Sequence, residues 1–160
     1  MQAITNADGP PEAGPPVGPS DLRRSMVMTA IAVVAVDQAT KTVVPWLDRT
    51  APDPLIDPGL NPAYSLGVLH GPRPLLVIGT LVAAVLAGTW AARSVRAGRV
   101  PGWAAGLLVG GALSNVIDRI VRGGVLDFIA TPWIALNLAD LAVVAGLCWL
   151  FPAHRSQERG

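Results

Sequence analysis

The chain has 160 residues, 51% of them hydrophobic and 14% charged, with a net charge of +1. A charged fraction this far below the roughly 25% of soluble domains excludes an ordinary water-soluble globule. The near-neutral balance excludes a broad basic face for nucleic acid, and a single cysteine, Cys148, excludes an intramolecular disulfide.

Met1 to Ser20 carries Pro10, Pro11, Pro15, Pro16 and Pro19 among glycines and has no apolar run. It reads as a disordered tail and not as a signal peptide. Ordered structure is expected to begin near Asp21-Leu22-Arg23-Arg24. Four apolar segments follow: Met26 to Leu47, Pro74 to Ala92, Trp103 to about Ile117, and Ile134 to Phe151. A span needs about 20 apolar residues to cross a ~30 Å core. The second segment meets this alone, and the third and fourth meet it when their polar ends are counted. The expected fold class is therefore an all-α polytopic membrane protein with four transmembrane helices. The expected layout is a tail over 1–20, a membrane domain over 21–153 and a cytoplasmic tail over 154–160.

Arginines set the expected topology. Arg23 and Arg24 precede the first span, Arg93, Arg96 and Arg99 follow the second, and Arg155 and Arg159 follow the fourth. These alternate positions place both termini in the cytoplasm and the long first loop outside. Asp127 and Asp140 then fall at the external boundary. A carboxylate in hydrocarbon costs roughly 2.5–3.5 kcal/mol on insertion scales, so a chain that keeps several there is expected to use them. Two that meet would share a proton and activate a water.

The polar clusters carry the chemistry. Asp37 and Lys41 are i,i+4 and can pair on one helix face; Lys41 is also a candidate to hold a lipid head group or the active site. Asn61 follows a Pro/Asp-rich loop or extended stretch. Gly110 and Ser114 form a small-x-x-x-small face for close helix approach. Asn115, Asp118 and Arg119 gather at one helix end, with Arg119 the immediate cationic neighbour of Asp118. Asp127 follows Gly123-Gly124 on an expected short strand. Pro132 turns the chain so that Asp140 returns toward Asp127, and Asn137, i,i+3 from Asp140, can orient it.

The ordered series Asp37-x-x-x-Lys41, Asn61 to Gly67, Gly110-Gly111-Ala112-Leu113-x-Asn115-x-x-Asp118-Arg119, Val125-Leu126-Asp127-Phe128 and Asn137-x-Ala139-Asp140 resembles the lipoprotein signal peptidases, signal peptidase II. The resemblance covers about residues 26 to 150. It implies a membrane aspartyl endopeptidase that removes the signal peptide from diacylglyceryl-modified prolipoproteins at the external face of the bacterial inner membrane. Asp127 and Asp140 match the catalytic dyad. Asp37, Lys41, Asn61, Gly67, Asn115, Asp118, Arg119, Asn137 and Ala139 match substrate-binding or supporting positions. The implied fold adds a small extracytoplasmic β cradle and a short external helix. No metal or organic cofactor is implied, the partners are prolipoprotein substrates and membrane lipid, and the enzyme is expected to act as a monomer.

The chain departs from the family pattern at Ser114, where glycine is usual, and at Asn61-Pro62-Ala63-Tyr64-Ser65-Leu66, where Asn-x-Gly-x-Ala-Phe is usual. The second departure motivates an alternative, a divergent paralog with altered specificity or a resistance role. A non-enzymatic proton or ion carrier is a further alternative, with Asp37, Lys41, Asp118 and Asp140 as its relay.

Overall fold

Four helices and three short strands alternate along the chain: α1 (Pro19–Thr50), β1 (Ile56–Asn61), α2 (Arg73–Arg96), α3 (Gly102–Val121), β2 (Val125–Ala130), β3 (Ala135–Leu136) and α4 (Leu138–Arg155). The structure is a computed structural model and describes residues 18–61 and 72–155. Gly67 and the variant residues 62–66 lie outside the described residues, as do most of the expected tail and the final residues.

The distribution of polarity is inverted relative to a soluble protein. The largest fully buried side chains are Asn137, Asp37, Asp118 and Ser114, whereas Met28, Ile31, Leu75, Ile78, Leu86 and Val144 are exposed. Water would reverse this arrangement; lipid favours it. Three helices, α1, α2 and α3, are long and apolar enough to cross a membrane. The apolar stretch of α4, Leu138–Trp149, is shorter. The expected short external helix has no counterpart among the described residues.

α1 begins at Pro19, two residues before the expected start, with its proline in the first turn, where a missing N–H costs nothing. At 32 residues it is about 48 Å long and overruns a ~30 Å hydrocarbon core. From Val27 to Val36 its exposed residues are apolar, and the buried residues of the helix are Asp37, Lys41 and Val44.

α3 is the centre of the bundle and packs on each of the other helices. Its glycines allow this. A Cβ at Gly106 would lie 2.6 Å from the Met26 carbonyl oxygen, and one at Gly110 would lie 2.7 Å from that of Ala30. The stripe continues through Ser114 and Asp118, which also face α1. On another side, a Cβ at Gly111 would lie 2.4 Å from the Ala139 carbonyl. The start of α4 is thereby seated against α3.

The strands form one antiparallel sheet in the order β1-β2-β3. Gly59 stands opposite Asp127 and Asn61 opposite Val125, with an irregularity between Ile56 and Gly59. Pro58, which lacks a ladder donor, lies within that irregularity. Gly123, at φ 82°, turns the chain out of α3. The Asn61 carbonyl would be 2.8 Å from a Cβ at Gly124. The strand expected at Asp127 is thus present as β2. The fourth helix starts at Leu138 and not at Ile134, because Ala135–Leu136 pairs with Ile129 and Ala130 as β3.

Candidate active site

The site begins with a buried ion cluster joining α1 to α3. Lys41 Nζ lies 2.6 Å from Asp37 Oδ2 and 2.7 Å from Asp118 Oδ2, with all three side chains fully buried. The i,i+4 pairing of Asp37 and Lys41 holds. A lipid head group on Lys41 does not, because its ammonium is enclosed between the two carboxylates. Asp118 pairs with Lys41 and Arg122 and not with the adjacent Arg119. Successive helix residues point about 100° apart, and the residue one turn on shares the face.

Gln38, which sequence reasoning passed over, and Ser114, read from the sequence only as a small helix-contact residue, complete the cluster. Gln38 Nε2 donates to Asp118 Oδ1 at 2.8 Å and to Ser114 Oγ at 2.9 Å, and Gln38 Oε1 accepts from Arg122 at 2.8 Å. Ser114 Oγ donates to Asp37 Oδ2 at 2.7 Å. The hydroxyl at this departure from the family pattern is therefore a link in the network. The signal for Gln38 is its place one residue after Asp37 in a polar run, but an amide beside two charges gives no sign of its partner.

The cluster reaches α4 through Asp37, whose Oδ1 accepts the Ala139 backbone N–H at 2.9 Å. The next N–H, from Asp140, goes to Asn137 Oδ1 at 3.0 Å, and Asp140 Oδ2 accepts the Asn137 N–H at 3.2 Å. Asn137 and Asp140 thus form a reciprocal cap of the capping-box kind, which satisfies orphan donors at the helix start. The second carboxylate oxygen, Asp140 Oδ1, accepts from Asn115 Nδ2 at 2.8 Å. Asn115 Oδ1 faces Lys41 Nζ at 3.5 Å. Asn115 therefore joins the ion cluster to Asp140; the expected grouping with Asp118 and Arg119 is only a shared helix end.

Asp127 arrives from the sheet. Its Oδ1 accepts from Asn137 Nδ2 at 2.7 Å and its Oδ2 from Asn61 Nδ2 at 3.0 Å. Asn61, at the end of β1, is a direct partner of the carboxylate. Burial pushes the Asp127 carboxyl above its ordinary range; the two amide donors oppose the rise, and the charge of Asp140 adds to it.

Both carboxylates line one cavity of about 560 Å³. Its polar lining is Asn61, Asn115, Arg119, Asp127 and Asp140, with Thr80 of α2; the rest is apolar, walled by Ala83, Ala84 and Ala87 of α2, Leu108 and Ala112 of α3, and Val143 and Leu147 of α4. Such a cavity can hold an apolar chain along the helices while presenting a polar group to two carboxylates.

The sequence pattern of the family described as signal peptidase (SPase) II matches residues 29–154. The chain belongs to the signal peptidase II family. A lipoprotein signal peptidase from Beijerinckia indica subsp. indica is 42% identical over 110 residues, covering 62% of this chain and 65% of that protein. One from Methylobacterium sp. (strain 4-46) is 34% identical over 142 residues, covering 76% of this chain and 83% of that protein. A bacterial membrane enzyme solved by the in meso method at 2.3 Å resolution shares the fold, with a TM-score of 0.67 at 24% identity over 84% of this chain and 90% of that one. This signal peptidase II member is accordingly a protease, and its span-capable helices make it a membrane protein.

Proposed function

We propose that the chain is an aspartyl endopeptidase that cleaves the signal peptide from diacylglyceryl-modified prolipoproteins, with Asp127 and Asp140 as the catalytic pair. The observation that carries this reading is their convergence: one from a strand, one from a helix start, both on the wall of one cavity and both held by Asn137. The names borne by its relatives supply the substrate class.

Two close carboxylates do not both ionise cheaply, so the pair keeps one proton near neutral pH. The ionised member takes a proton from a water, which attacks the scissile carbonyl. The protonated member hydrogen-bonds the carbonyl oxygen and later protonates the leaving nitrogen. Asp37, Lys41, Asn61, Asn115, Asp118, Asn137 and Ala139 hold the pair in place, and Arg119 lines the cavity beside it.

The membrane placement belongs to the same proposal. α4 serves as a fourth span, completed by the polar start that carries Asp140. Both termini face the cytoplasm and the pair faces outside, where acyl chains stay in the bilayer while the scissile bond meets water. The enzyme acts as a monomer. Its domain runs over 21–153, with the arginine asymmetry of the connections as the support for its orientation.

The test is cleavage of a diacylglyceryl-modified prolipoprotein by the purified chain and by Asp127→Asn and Asp140→Asn. Each variant should be folded and inert. Full activity in either one would remove that residue from the pair.

A further inference from the structure

A second cavity, of about 310 Å³, lies at the other end of the bundle, where the start of α1 meets the end of α2. It is lined by Ser20, Arg23 and Met26 of α1 and Ala92, Val95 and Arg96 of α2. Beside it, a shallow groove is bordered by Arg23, Arg24, Val27 and Met28. Two arginines from different helices therefore border one small space whose remaining lining is apolar except for Ser20. Among the described residues, neither Arg23 nor Arg96 has an ion-pair partner. Asp21, the nearest carboxylate in sequence, does not line the cavity.

The level of this cavity is set by its neighbours. Trp103, at the start of α3, and Trp149, near the end of α4, meet edge to face with centroids 5.1 Å apart. Tryptophans gather where hydrocarbon gives way to head groups. Trp46 and Trp133 are exposed toward the opposite end, 62% and 89% respectively. From Arg24 to Trp46 along α1 is about 33 Å at 1.5 Å per residue, close to one hydrocarbon thickness. The Arg23–Arg96 cavity thus sits at head-group depth, with its apolar floor turned toward the acyl region.

We propose that this cavity is a binding site for an anionic glycerophospholipid. The phosphate lies between Arg23 and Arg96, which offer planar, multiply donating groups suited to phosphate. The first part of an acyl chain lies over Met26, Ala92 and Val95. The site is remote from the carboxylate pair, so its occupancy is separable from peptide cleavage.

The experiment is native mass spectrometry of the full chain in a neutral detergent. It is titrated in separate arms with phosphatidylglycerol, with phosphatidylcholine of the same acyl chains, and with inorganic phosphate. Phosphatidylglycerol is expected to bind with one-to-one stoichiometry, about twenty-five-fold more tightly than phosphatidylcholine, as two arginines each supplying roughly fivefold near an anionic surface would give. Arg23→Gln with Arg96→Gln should abolish the preference while far-ultraviolet circular dichroism stays unchanged. Arg49→Gln, a loss of one charge at the far end of α1, should leave it intact. If the double variant does not fold, Arg96→Lys is read instead; it keeps the charge, loses the fork geometry and should bind several-fold more weakly. Equal affinity for the two lipids would overturn the proposal. So would an equal loss in Arg49→Gln, which would show a diffuse charge effect, or equal binding of inorganic phosphate, which would show an anion site without a lipid. An unaltered preference in the double variant would overturn it too.

Discussion

The side-chain amide of Asn137 donates to Asp127 Oδ1 at 2.7 Å while its oxygen accepts the backbone N–H of Asp140 at 3.0 Å. One residue therefore sets the position of both carboxylates and caps the helix that carries one of them. The two tasks separate by substitution. Asn137→Ser keeps an oxygen for the cap, and serine is nearly as good there as asparagine. It loses the donor to Asp127. Thermal stability in detergent should stay within about 1 kcal/mol of the parent, and kcat/KM should fall about 10²-fold through misplacement of the carboxylate. Asn137→Ala should lose both. A serine variant with parental activity would show that the Asp127 contact does not matter for cleavage.

Asn61 gives a prediction in pH. Burial raises the Asp127 carboxyl above its ordinary value of 3.8, and the Asn61 donor opposes the rise by favouring the ionised form. Asn61→Ala removes that opposition, so the Asp127 pKa climbs further. The limb of the pH–rate profile that reports Asp127 should move to higher pH, with the other limb fixed. The stability sign follows from linkage. An acid raised in the folded state favours folding fully below its unfolded value and loses that contribution as pH rises through the folded value. In Asn61→Ala the loss should therefore occur at higher pH than in the parent. Profiles that superimpose would show that Asn61 does not tune the carboxylate.

The sequence shows some of this and conceals the rest for local reasons. Asp37 and Lys41 are legible as a pair because one helix turn separates them. The second partner of Lys41, Asp118, sits on another helix, and no spacing rule reaches across. Arg119 attracts attention as the cation beside Asp118, yet the helix turns it toward the cavity and Arg122 takes its place. β2 is legible from Gly123-Gly124 followed by apolar residues. β1 reads only as extended, because Pro58 interrupts any alternation. Ile134 to Leu136 looks like helix because a short apolar run cannot distinguish strand from helix. Asn137-x-x-Asp140 carries the correcting signal, a cap three residues before a carboxylate. Read that way, it places the helix start after Asn137.

The buried cluster predicts an order of stability. Lys41→Met leaves Asp37 and Asp118 without the ammonium between them, at a cost of about 3–5 kcal/mol. Asp118→Asn should cost less. Lys41 keeps Asp37 at 2.6 Å, and Arg122, whose side chain is 28% exposed, can turn to solvent. Thermal unfolding in a single detergent compares the two. A larger loss in Asp118→Asn would place the main stabilising contact at Arg122 and not at Lys41.

Helix spacing offers a last test, because two α-helical glycines meet different surroundings. A Cβ at Gly88 of α2 finds only Val109 Cγ2 at 3.9 Å. Gly88→Ala should be neutral, or stabilising by about 0.5–1 kcal/mol through the reduced freedom of the unfolded chain. At Gly106 of α3 the same atom would lie 2.6 Å from both the Met26 oxygen and Thr29 Cβ. Gly106→Ala must push α1 away from α3 and should cost about 1–3 kcal/mol. The displacement has a functional reach. α1 carries Asp37, which holds the Ala139 N–H at 2.9 Å, one residue before Asp140. Gly106→Ala should therefore lower the specific activity of the folded fraction as well as its melting temperature, whereas Gly88→Ala should change neither downward. Unfolding curves and initial cleavage rates on the same preparations measure both effects. A Gly106→Ala protein that is less stable yet fully active per folded molecule would break the link from the α1–α3 contact to Asp140.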